Sequence, residues 1–484
     1  MKKLKKLAAL LLAVVMTMAM NMTVFAADTT TYSLTLTGTK TGHTYDAYQI
    51  FTGDLSTNTD GDKVLSNVQW GTGITYTGAE KSAADVADKL VAGTLKLDTL
   101  ESELTLNTPV KEVSSSADNT VIGGLVAGYY LVKDKDGTQD SKSDAYTKFI
   151  VQVVGDTSTK VKSDVPTVEK KVKDTNDSTG VTSDWQDSAD YDIGDDVPFQ
   201  ITGTMPSNID DYTKYAYTFT DTMSAGLTYT TKTATIKIGD TDVTSSFTET
   251  VDGQKVTWAC ADLKAISGVT LTKDTKVVVT YSATLNEKAV TGSAGNPNTV
   301  YLTYSNNPNE GGEGTGKTPE DKNVVFTYKT VVNKVDQDQK SLAGAGFTLQ
   351  KKVNGTYTDV KTFTAGTDTT FTFTGLDDGD YKLIESTTPA GYNTIDDVEF
   401  TISATHDTTE DDPKLLTLSG DVTSGTATFA PDKTAGSLTT QIVNKKGSVL
   451  PSTGGIGTRM FYVFGGCLVA AAVVLLALKK RREA

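Results

Sequence analysis

The chain has 484 residues, with 45 Lys and Arg against 60 Asp and Glu, which gives a formal net charge of -15 at pH 7. At ~150 residues per domain, this length predicts about three domains rather than one compact fold. The acidic balance disfavours nucleic-acid binding, because such a surface repels phosphate backbones. With 2 Cys and 2 His, the chain lacks the parts of a disulfide scaffold, a Cys/His zinc site or a Cys-His dyad.

The N-terminus has the order of a secretory signal. A lysine-rich start precedes an apolar run from Leu7 to Met20, and small residues follow at Ala26 and Ala27. This order of basic, apolar and small residues predicts export. Cleavage after Ala26 or Ala27 makes residues 1–27 a signal peptide that is absent from the mature chain.

The middle of the chain is rich in Thr, Val, Tyr and Gly, with alternating runs such as 32–36, 276–281 and 369–373. β-Branched and aromatic residues at period two, interrupted by Gly, Asn and Asp, predict the strands of β-sandwiches. One exception is Ala83 to Leu90, whose pattern predicts a helix packed on the first domain. The predicted fold class is therefore mostly β, with tandem immunoglobulin-like sandwiches and a small helical insertion in the first domain.

Two polar segments divide this β region. Residues 157–166 end in Ser-Asp-Val-Pro, and residues 306–323 carry two prolines and a Gly-Gly pair. Such composition is typical of domain boundaries. We therefore predict domains at 28–163, 164–325 and 326–447, followed by a separate C-terminal segment at 448–484.

The second domain opens with the predicted strand 168–172. Because side chains alternate between the two faces of a strand, Lys170 shares a face with two valines and is predicted to be buried, while Lys171 is predicted to be exposed. Two later segments, 217–229 and 296–306, resemble the middle domain of Gram-positive backbone pilins. The first domain likewise contains two segments familiar from N-terminal pilin domains, Tyr45 to Phe51 and Gly128 to Val132.

The resemblance to the pilin middle domain implies an intramolecular isopeptide bond. Its members would be Lys170 and Asn298, with Asp221 as the catalyst. Two other asparagines are alternatives, Asn296 and Asn306. Asn298 is preferred because it opens the last predicted strand of the domain.

The third domain carries five spaced motifs, at 331–336, 342–349, 379–385, 389–392 and 442–445. Together they resemble the Cna-B-type domains of Gram-positive surface proteins and pilins over nearly all of 326–447. This resemblance implies an isopeptide bond between Lys334 and Asn444, with Glu385 as the catalyst. We expect no crosslink in the first domain: Lys40 lies early enough, but the last predicted strand, 148–154, has no Asn.

The chemistry of such a bond follows from burial. Desolvation disfavours charge, so it pushes a buried lysine towards its neutral, nucleophilic form and a buried carboxyl towards its protonated form. The amine attacks the Asn side-chain carbonyl, the acid donates to the amide oxygen and shuttles protons, and ammonia leaves. The fold holds the reactants in contact, which can supply on the order of 7–11 kcal/mol of the barrier.

The C-terminus combines a short motif with an apolar segment and a basic tail. The motif is Leu450, Pro451, Ser452, Thr453 and Gly454, and the apolar run from 460 to 478 precedes Lys and Arg residues. At ~1.5 Å per residue this run spans a bilayer core, and the basic tail stays on the cytoplasmic side. The arrangement resembles the sorting signal of Gram-positive cell-wall proteins, in which sortase cuts between Thr and Gly. Here Thr453 would form the thioester with the enzyme's cysteine.

Backbone pilins also offer a lysine just before the middle domain, as the amine that resolves the thioester of the next subunit. The usual Tyr-Pro-Lys core is absent here, and Lys162 is the candidate, with Lys160 second. The resemblance implies a structural protein without cofactors, not an enzyme, in a covalent pilus on the cell wall of a Gram-positive bacterium. Its implied partners are sortase, further copies of itself, accessory pilins, peptidoglycan and a host glycan or matrix ligand that serves adhesion.

Two other readings stay open. A monomeric wall-anchored adhesin would use the same β domains as a stalk and would not need Lys162. A wall-anchored hydrolase is disfavoured, because the sequence shows no nucleophile elbow and no metal-binding His pair. The acidic clusters at 174–177 and 410–412 lack the spacing of a calcium loop, so solvated turns and no metal site are predicted.

Overall fold

The computed structural model describes residues 30–57, 63–79, 82–92, 94–95, 97–116, 118–139, 144–161, 164–308, 311–447 and 456–482. Strands dominate, as predicted, and each of the three successive β regions has a hydrophobic core of its own. The signal segment, Lys162 and the motif from Leu450 to Gly454 lie outside the described residues.

The first domain holds a three-stranded and a five-stranded sheet. The predicted helix is present and begins after Ser82, whose side chain accepts a hydrogen bond from the main chain of Asp85 and so caps the first turn. The helices are Ala83–Val91 and Leu97–Ser102. The strands are Tyr32–Thr37, Thr44–Thr57, Lys63–Trp70, Ile74–Tyr76, Leu104–Leu106, Lys111–Ser114, Asn119–Leu125, Gly128–Asp134, Lys148–Val153 and Thr157–Lys160.

The second domain is a sandwich of two large sheets, which we call the lysine sheet and the asparagine sheet after Lys170 and Asn298. The lysine sheet contains Val168–Val172, Asp196–Thr204, Leu227–Tyr229, Thr235–Ile238, Thr241–Asp242 and Lys276–Leu285. The asparagine sheet contains Ser188–Asp190, Tyr217–Met223, Thr248–Asp252, Lys255–Cys260, Asn296–Ser305, Thr315–Lys317 and Asp321–Phe326. A small hairpin, Thr175–Asn176 with Val181–Thr182, and three short 3₁₀ turns, Ile209–Asp211, Thr244–Ser246 and Leu263–Ala265, complete the domain.

Two sequence-based expectations for this domain differ from the structure. Asn298 lies in the strand Asn296–Ser305, but two further strands follow, so this strand is not the last. The Pro- and Gly-rich segment 306–323 supplies strand residues that pair with Asn296–Ser305 and therefore forms part of the sandwich rather than a free linker. Proline and glycine in this segment mark turns between strands, a local property that composition alone does not distinguish from a domain boundary.

The third domain packs a four-stranded sheet on a five-stranded sheet. Its first and last strands run parallel and side by side, which places Lys334 opposite Ile442 and Asp336 opposite Asn444. Residues two apart lie on one face of a strand, so Lys334 and Asn444 are diagonal neighbours on the same face. The strands are Tyr328–Asp336, Gly346–Val353, Thr356–Phe363, Thr370–Leu376, Gly379–Thr387, Val398–His406, Leu415–Ser424, Phe429–Asp432 and Ser437–Asn444.

Buried polar contacts join neighbouring domains. Asn306 is fully buried, and its side-chain amide donates hydrogen bonds to the main-chain oxygens of Gln139 (2.8 Å) and Asp144 (3.1 Å) in the first domain. Between the second and third domains, Lys351 Nζ lies 2.9 Å from a carboxylate oxygen of Asp177 and 2.5 Å from one of Asp192. Hydrogen bonds and ion pairs of this kind between domains favour a fixed angle between them.

A helix, Ile456–Arg482, follows the third domain. Its segment Met460–Arg482 is long and apolar enough to cross a membrane, its most apolar 18-residue stretch has a mean hydropathy of 2.5, and its side chains are exposed rather than packed on a domain. Its last turn carries Lys479, Lys480, Arg481 and Arg482. This placement of basic residues agrees with the predicted cytoplasmic tail.

Candidate functional site

The second domain contains a buried polar cluster between its two sheets. Lys170 comes from the lysine sheet, whereas Asp221 and Asn298 come from adjacent strands of the asparagine sheet. All three side chains are fully buried. Lys170 Nζ donates a 2.6 Å hydrogen bond to Asp221 Oδ1, so the structure brings together the three residues that the sequence singled out.

Burial sets the electrostatics of this cluster. Desolvation lowers the pKa of Lys170, and the nearby Asp221 carboxylate opposes that shift without cancelling it. Alternation correctly predicted the burial of Lys170, while Lys171 is only partly exposed and pairs with Asp187 at 2.7 Å. A lysine amine with a lowered pKa reaches its neutral, nucleophilic form more easily.

The structure separates the three asparagines that the sequence left as alternatives. Asn296 is occupied in a loop contact, where its amide donates to the main-chain oxygens of Val290 and Val325. The side-chain amide of Asn306 donates its hydrogen bonds to the first domain, as described above. Asn298 is therefore the member of this set whose side chain lies in the Lys170 cluster.

A further buried amide near Lys170 went unpredicted. Asn323 lies directly opposite Asn298 on the neighbouring strand. Its side chain donates to the main-chain oxygens of Lys170 (3.0 Å) and Asp187 (3.1 Å). Asn323 thus holds the backbone of the lysine strand rather than presenting its carbonyl carbon to the amine.

The third domain contains a second cluster of the same three residue types. Lys334 Nζ lies 3.6 Å from Glu385 Oε1, and Asn444 Nδ2 donates a 2.9 Å hydrogen bond to Glu385 Oε2. The Lys334 and Asn444 side chains are fully buried, and desolvation lowers the pKa of Lys334 while Glu385 opposes the shift. Glu385 reaches across from the opposite sheet.

The amide oxygens of both clusters lack hydrogen bonds. Within the described residues, Asn298 Oδ1, Asn444 Oδ1 and Glu385 Oε1 are buried without a hydrogen-bond partner. Leaving a buried polar atom unpaired costs about 1–3 kcal/mol. The two Asn oxygens are where negative charge would develop if an amine attacked the amide carbon, so a proton donor placed there would stabilise the transition state.

The first domain has a buried ionic cluster around a histidine. His43 Nδ1 lies 2.8 Å from Asp134 and His43 Nε2 lies 3.2 Å from Asp144, which also pairs with Lys40 at 2.7 Å. Burial disfavours the charged ring, but the hydrogen bonds to the two carboxylates outweigh it and raise the pKa of His43 from 6.5 to about 9. At neutral pH this imidazolium joins the loop around Asp144 to the sheet.

This pKa shift predicts that the stability of the first domain depends on pH. Because the pKa of His43 is higher in the folded state, its stabilisation is complete below pH 6.5 and is lost as the pH rises through about 9. The shift corresponds to a loss on the order of 3 kcal/mol, which hydrogen exchange of first-domain amides between pH 6.5 and pH 9 measures. His43→Gln should remove the dependence, and an unchanged pH profile in this variant would contradict the assignment.

The acidic clusters near the second boundary are not simple solvated turns. Asp174 lies with Asp190 and His406, and Asp177 lies with Asp192 and Asp195. Asp177 and Asp192 pair with Lys351, and burial opposes but does not cancel the effect of Asp377 and Asp192, which raise the pKa of Lys351. Sequence reasoning missed these contacts, because they form only when the second and third domains meet.

The chain matches three family models. Residues 193–308 match the Gram-positive pilin backbone subunit 2, Cna-B-like domain. Residues 329–414 match a prealbumin-like fold domain, and residues 442–484 match the LPXTG cell wall anchor motif. The pilin and prealbumin-like matches contain Asp221, Asn298, Lys334 and Glu385.

Relatives and solved structures agree with these matches. The trypsin-resistant surface T6 protein of Streptococcus pyogenes serotype M6 is 26% identical over 392 residues, which cover 66% of this chain and 70% of that protein. The T6 backbone pilin structure has a TM-score of 0.56 at 19% identity and covers 86% of this chain and 99% of that chain. The full-length major pilin SpaD from Corynebacterium diphtheriae has a TM-score of 0.52 at 20% identity and covers 86% and 98%.

The two structural similarities show a shared three-part fold, and the family models assign its parts. Pilin backbone domains are structural modules rather than enzymes, and the C-terminal match is a wall anchor. The chain therefore contains a Gram-positive pilin backbone domain at 193–308, a prealbumin-like domain at 329–414 and a cell wall anchor motif at 442–484.

Proposed function

We propose that this pilin is the repeating unit of a covalent pilus, in which sortase joins the Thr453 carboxyl of one subunit to Lys162 of the next. The wall anchor motif supports the first half of this reaction. Lys162 supports the second half by its position directly before the second domain. Repetition of a head-to-tail bond that does not close on itself gives a fibre.

The subunit then carries two internal isopeptide bonds, Lys170 to Asn298 and Lys334 to Asn444. The observation that supports them best is that each buried lysine, with its lowered pKa, shares a buried cluster with one carboxyl and one Asn. Passing a proton from the ammonium to the carboxyl produces the nucleophile and the acid in one step. A new C–N bond forms between the lysine nitrogen and the Asn carbonyl carbon, and the old C–N bond breaks. The leaving nitrogen takes a proton that the lysine nitrogen gives up, and it departs as ammonia.

The two bonds would reinforce the domains differently. Lys170 and Asn298 belong to different sheets, so their bond would tie the two layers of the second sandwich together. Lys334 and Asn444 belong to adjacent parallel strands at the beginning and end of the third domain, so their bond would carry tension directly between those ends. In both cases the crosslink also restricts the unfolded chain, as a disulfide does.

The partners of the subunit follow from its position in the fibre. Sortase is the enzyme that acts on the subunit, and other copies of the chain are its covalent neighbours. Accessory pilins, peptidoglycan as the final acceptor of the Thr453 carboxyl, and a host glycan or matrix ligand that serves adhesion complete the proposal. The fibre itself binds no cofactor in this account.

The linkage is tested by peptide mapping of polymer released from the cell wall. Tandem mass spectrometry should identify a branched peptide in which the segment 447–453 is bonded through Thr453 to the side chain of Lys162. A branch at Lys160 would move the junction to the alternative lysine, and recovery of the C-terminal segment solely on peptidoglycan would contradict polymerisation.

A further inference from the structure

A tyrosine hydroxyl lies at the centre of the second-domain cluster. Tyr281 belongs to the lysine sheet, and its side chain is buried. Its Oη accepts hydrogen bonds from Lys170 Nζ (2.6 Å) and Asn298 Nδ2 (2.9 Å) and donates one to Asp221 Oδ2 (2.6 Å). One hydroxyl therefore touches the amine, the acid and the leaving nitrogen.

Among the described residues, Asp221 and Asn298 form no hydrogen bond with each other. Asp221 is opposite Val300, two residues from Asn298, so the two side chains are diagonal neighbours on adjacent strands. Diagonal neighbours of this kind have Cα atoms about 7–8 Å apart. Among the described residues, the hydrogen bond from Asn298 Nδ2 goes to Tyr281, and the two oxygens of Asp221 are engaged by Lys170 and Tyr281.

In the part of the third domain that the structure describes, the corresponding cluster has no hydrogen bond to a tyrosine. There Glu385, whose side chain is one methylene longer than Asp, accepts a hydrogen bond directly from Asn444 Nδ2 at 2.9 Å. A comparison of the two clusters shows that the Tyr281 hydroxyl supplies the hydrogen-bond acceptor next to the Asn nitrogen. Tyr281 occupies the position, next to the leaving nitrogen, that a glutamate oxygen occupies in the third domain.

We propose that Tyr281 is a catalytic residue of isopeptide formation in the second domain and passes the proton from the attacking amine to the leaving nitrogen. The proposal rests on the crosslinks proposed above. First, a proton moves from the Lys170 ammonium to Asp221. The neutral amine then forms a bond to Asn298 Cγ, and the electrons of the C=O double bond move to Oδ1.

The proton transfer that follows leaves the phenol unchanged. In the tetrahedral intermediate Asn298 Nδ2 becomes an amine with a lone pair, so it accepts a proton instead of donating one. Lys170 Nζ gives its excess proton to Tyr281 Oη while the hydroxyl gives its own proton to Nδ2. The C–Nδ2 bond breaks, Oδ1 re-forms the carbonyl, and ammonia departs; it takes the proton of Asp221 with it as ammonium.

The surroundings suit a neutral proton carrier. Burial, followed by the proximity of Asp221, raises the pKa of Tyr281 and keeps the phenol protonated. Its ring stacks on that of Phe199, with 5.5 Å between the ring centroids. The centroids of the Trp258 and Tyr229 rings lie 5.1 and 5.6 Å away. Because the ring makes these contacts and the hydroxyl makes the polar ones, Tyr281→Phe removes the proton carrier and leaves the packing in place.

The test is the mass of residues 28–447, synthesised and kept in denaturant so that no bond forms before folding, and then refolded. Wild type should lose about 34 Da as two ammonia molecules leave, by the amide-exchange chemistry above. Tyr281→Phe should lose only about 17 Da, from the third domain, because general acid–base catalysis contributes ~10²–10⁴-fold and its removal slows the second-domain reaction at least about 10²-fold. Peptide mapping assigns each loss to its domain.

A matched control removes another buried hydroxyl from the same domain. Tyr217 is fully buried, and its hydroxyl donates to the main-chain oxygen of Thr204, away from the cluster. Tyr217→Phe should lose about 34 Da at the wild-type rate. The same loss at the same rate in Tyr281→Phe would overturn the proposal, whereas wild type without any loss would instead overturn the crosslinks of the proposed function.

Folding is checked against a variant that cannot react. Asn298→Ala gives the Trp fluorescence and melting behaviour of an uncrosslinked second domain, and Tyr281→Phe should match it. If Tyr281→Phe does not fold, 3-fluorotyrosine replaces tyrosine throughout the chain, since it keeps the ring and hydroxyl but acidifies the phenol. A second-domain rate that changes relative to the third-domain rate then supports the proposal, and an unchanged ratio contradicts it.

Discussion

Asn444→Ala should make the third domain extensible under force, whereas the wild-type domain should not lengthen. In wild type, tension applied to the chain ends would pass from Lys334 through the isopeptide bond to Asn444, and the roughly 110 residues between them would carry no load. Without the bond those residues unravel. At ~3.5 Å per residue the variant should release about 35–40 nm, which single-molecule pulling by atomic force microscopy measures.

The matched control for this measurement lies on the same strand as Lys334. Asn333 is partly exposed, and its side chain accepts a 2.9 Å hydrogen bond from Thr370 rather than joining the cluster. Asn333→Ala should behave as wild type. A wild-type third domain that releases the same length as Asn444→Ala would show that no covalent bond closes this domain.

Lys162→Arg should abolish the ladder of high-mass species in boiled cell-wall digests. Arginine keeps the positive charge, but its guanidinium is always protonated and cannot resolve a thioester as an amine does. The subunit would then be anchored singly, so gel electrophoresis should show one species instead of multimers. The effect is all or none, because each junction in the fibre needs the same amine.

Lys160→Arg is the control for this experiment. Lys160 ends the strand Thr157–Lys160, which pairs in parallel with the first strand of the domain, and its side chain is exposed. The ladder should persist in this variant. Loss of the ladder in Lys160→Arg alone would transfer the linkage to Lys160, and a ladder in the double variant would exclude both lysines as the acceptor.

The sequence predicted the members of both clusters for different reasons. Strand alternation alone predicted that Lys170 is buried, because one face of a half-buried strand is fixed by its period of two. Lys334, Glu385 and Asn444 came from spaced motifs that resemble a known domain type. In each case the structure brings the named side chains into one buried cluster.

Sequence reasoning missed Tyr281 because the pattern around it also fits an ordinary core residue. It lies in an alternating Val/Thr/Tyr strand in which an inward-facing aromatic residue is most simply a core residue. Its catalytic position depends on how the two sheets face each other. The sequence did offer one indication, which is that the predicted catalyst is Asp rather than Glu. Because Asp is one methylene shorter, it leaves a gap next to the Asn, and a polar side chain from the opposite sheet can fill that gap.

The contacts between domains were also outside the reach of local patterns. Asp177 belongs to a cluster that the sequence predicts as a solvated turn, and Lys351 lies in a strand of another domain. Their side chains meet only after the second and third sandwiches have packed together. Charges of this kind are usually solvated, and burial becomes tolerable only when opposite charges pair closely.

The account depends on two buried lysines having reacted with two asparagines, and the intact mass of residues 28–447 tests that claim most directly. Each bond expels one ammonia of about 17 Da, so the account predicts a mass about 34 Da below that calculated from the sequence. Lys334→Met together with Lys170→Met should restore the calculated mass of that variant. A wild-type mass equal to the sequence value would contradict the account.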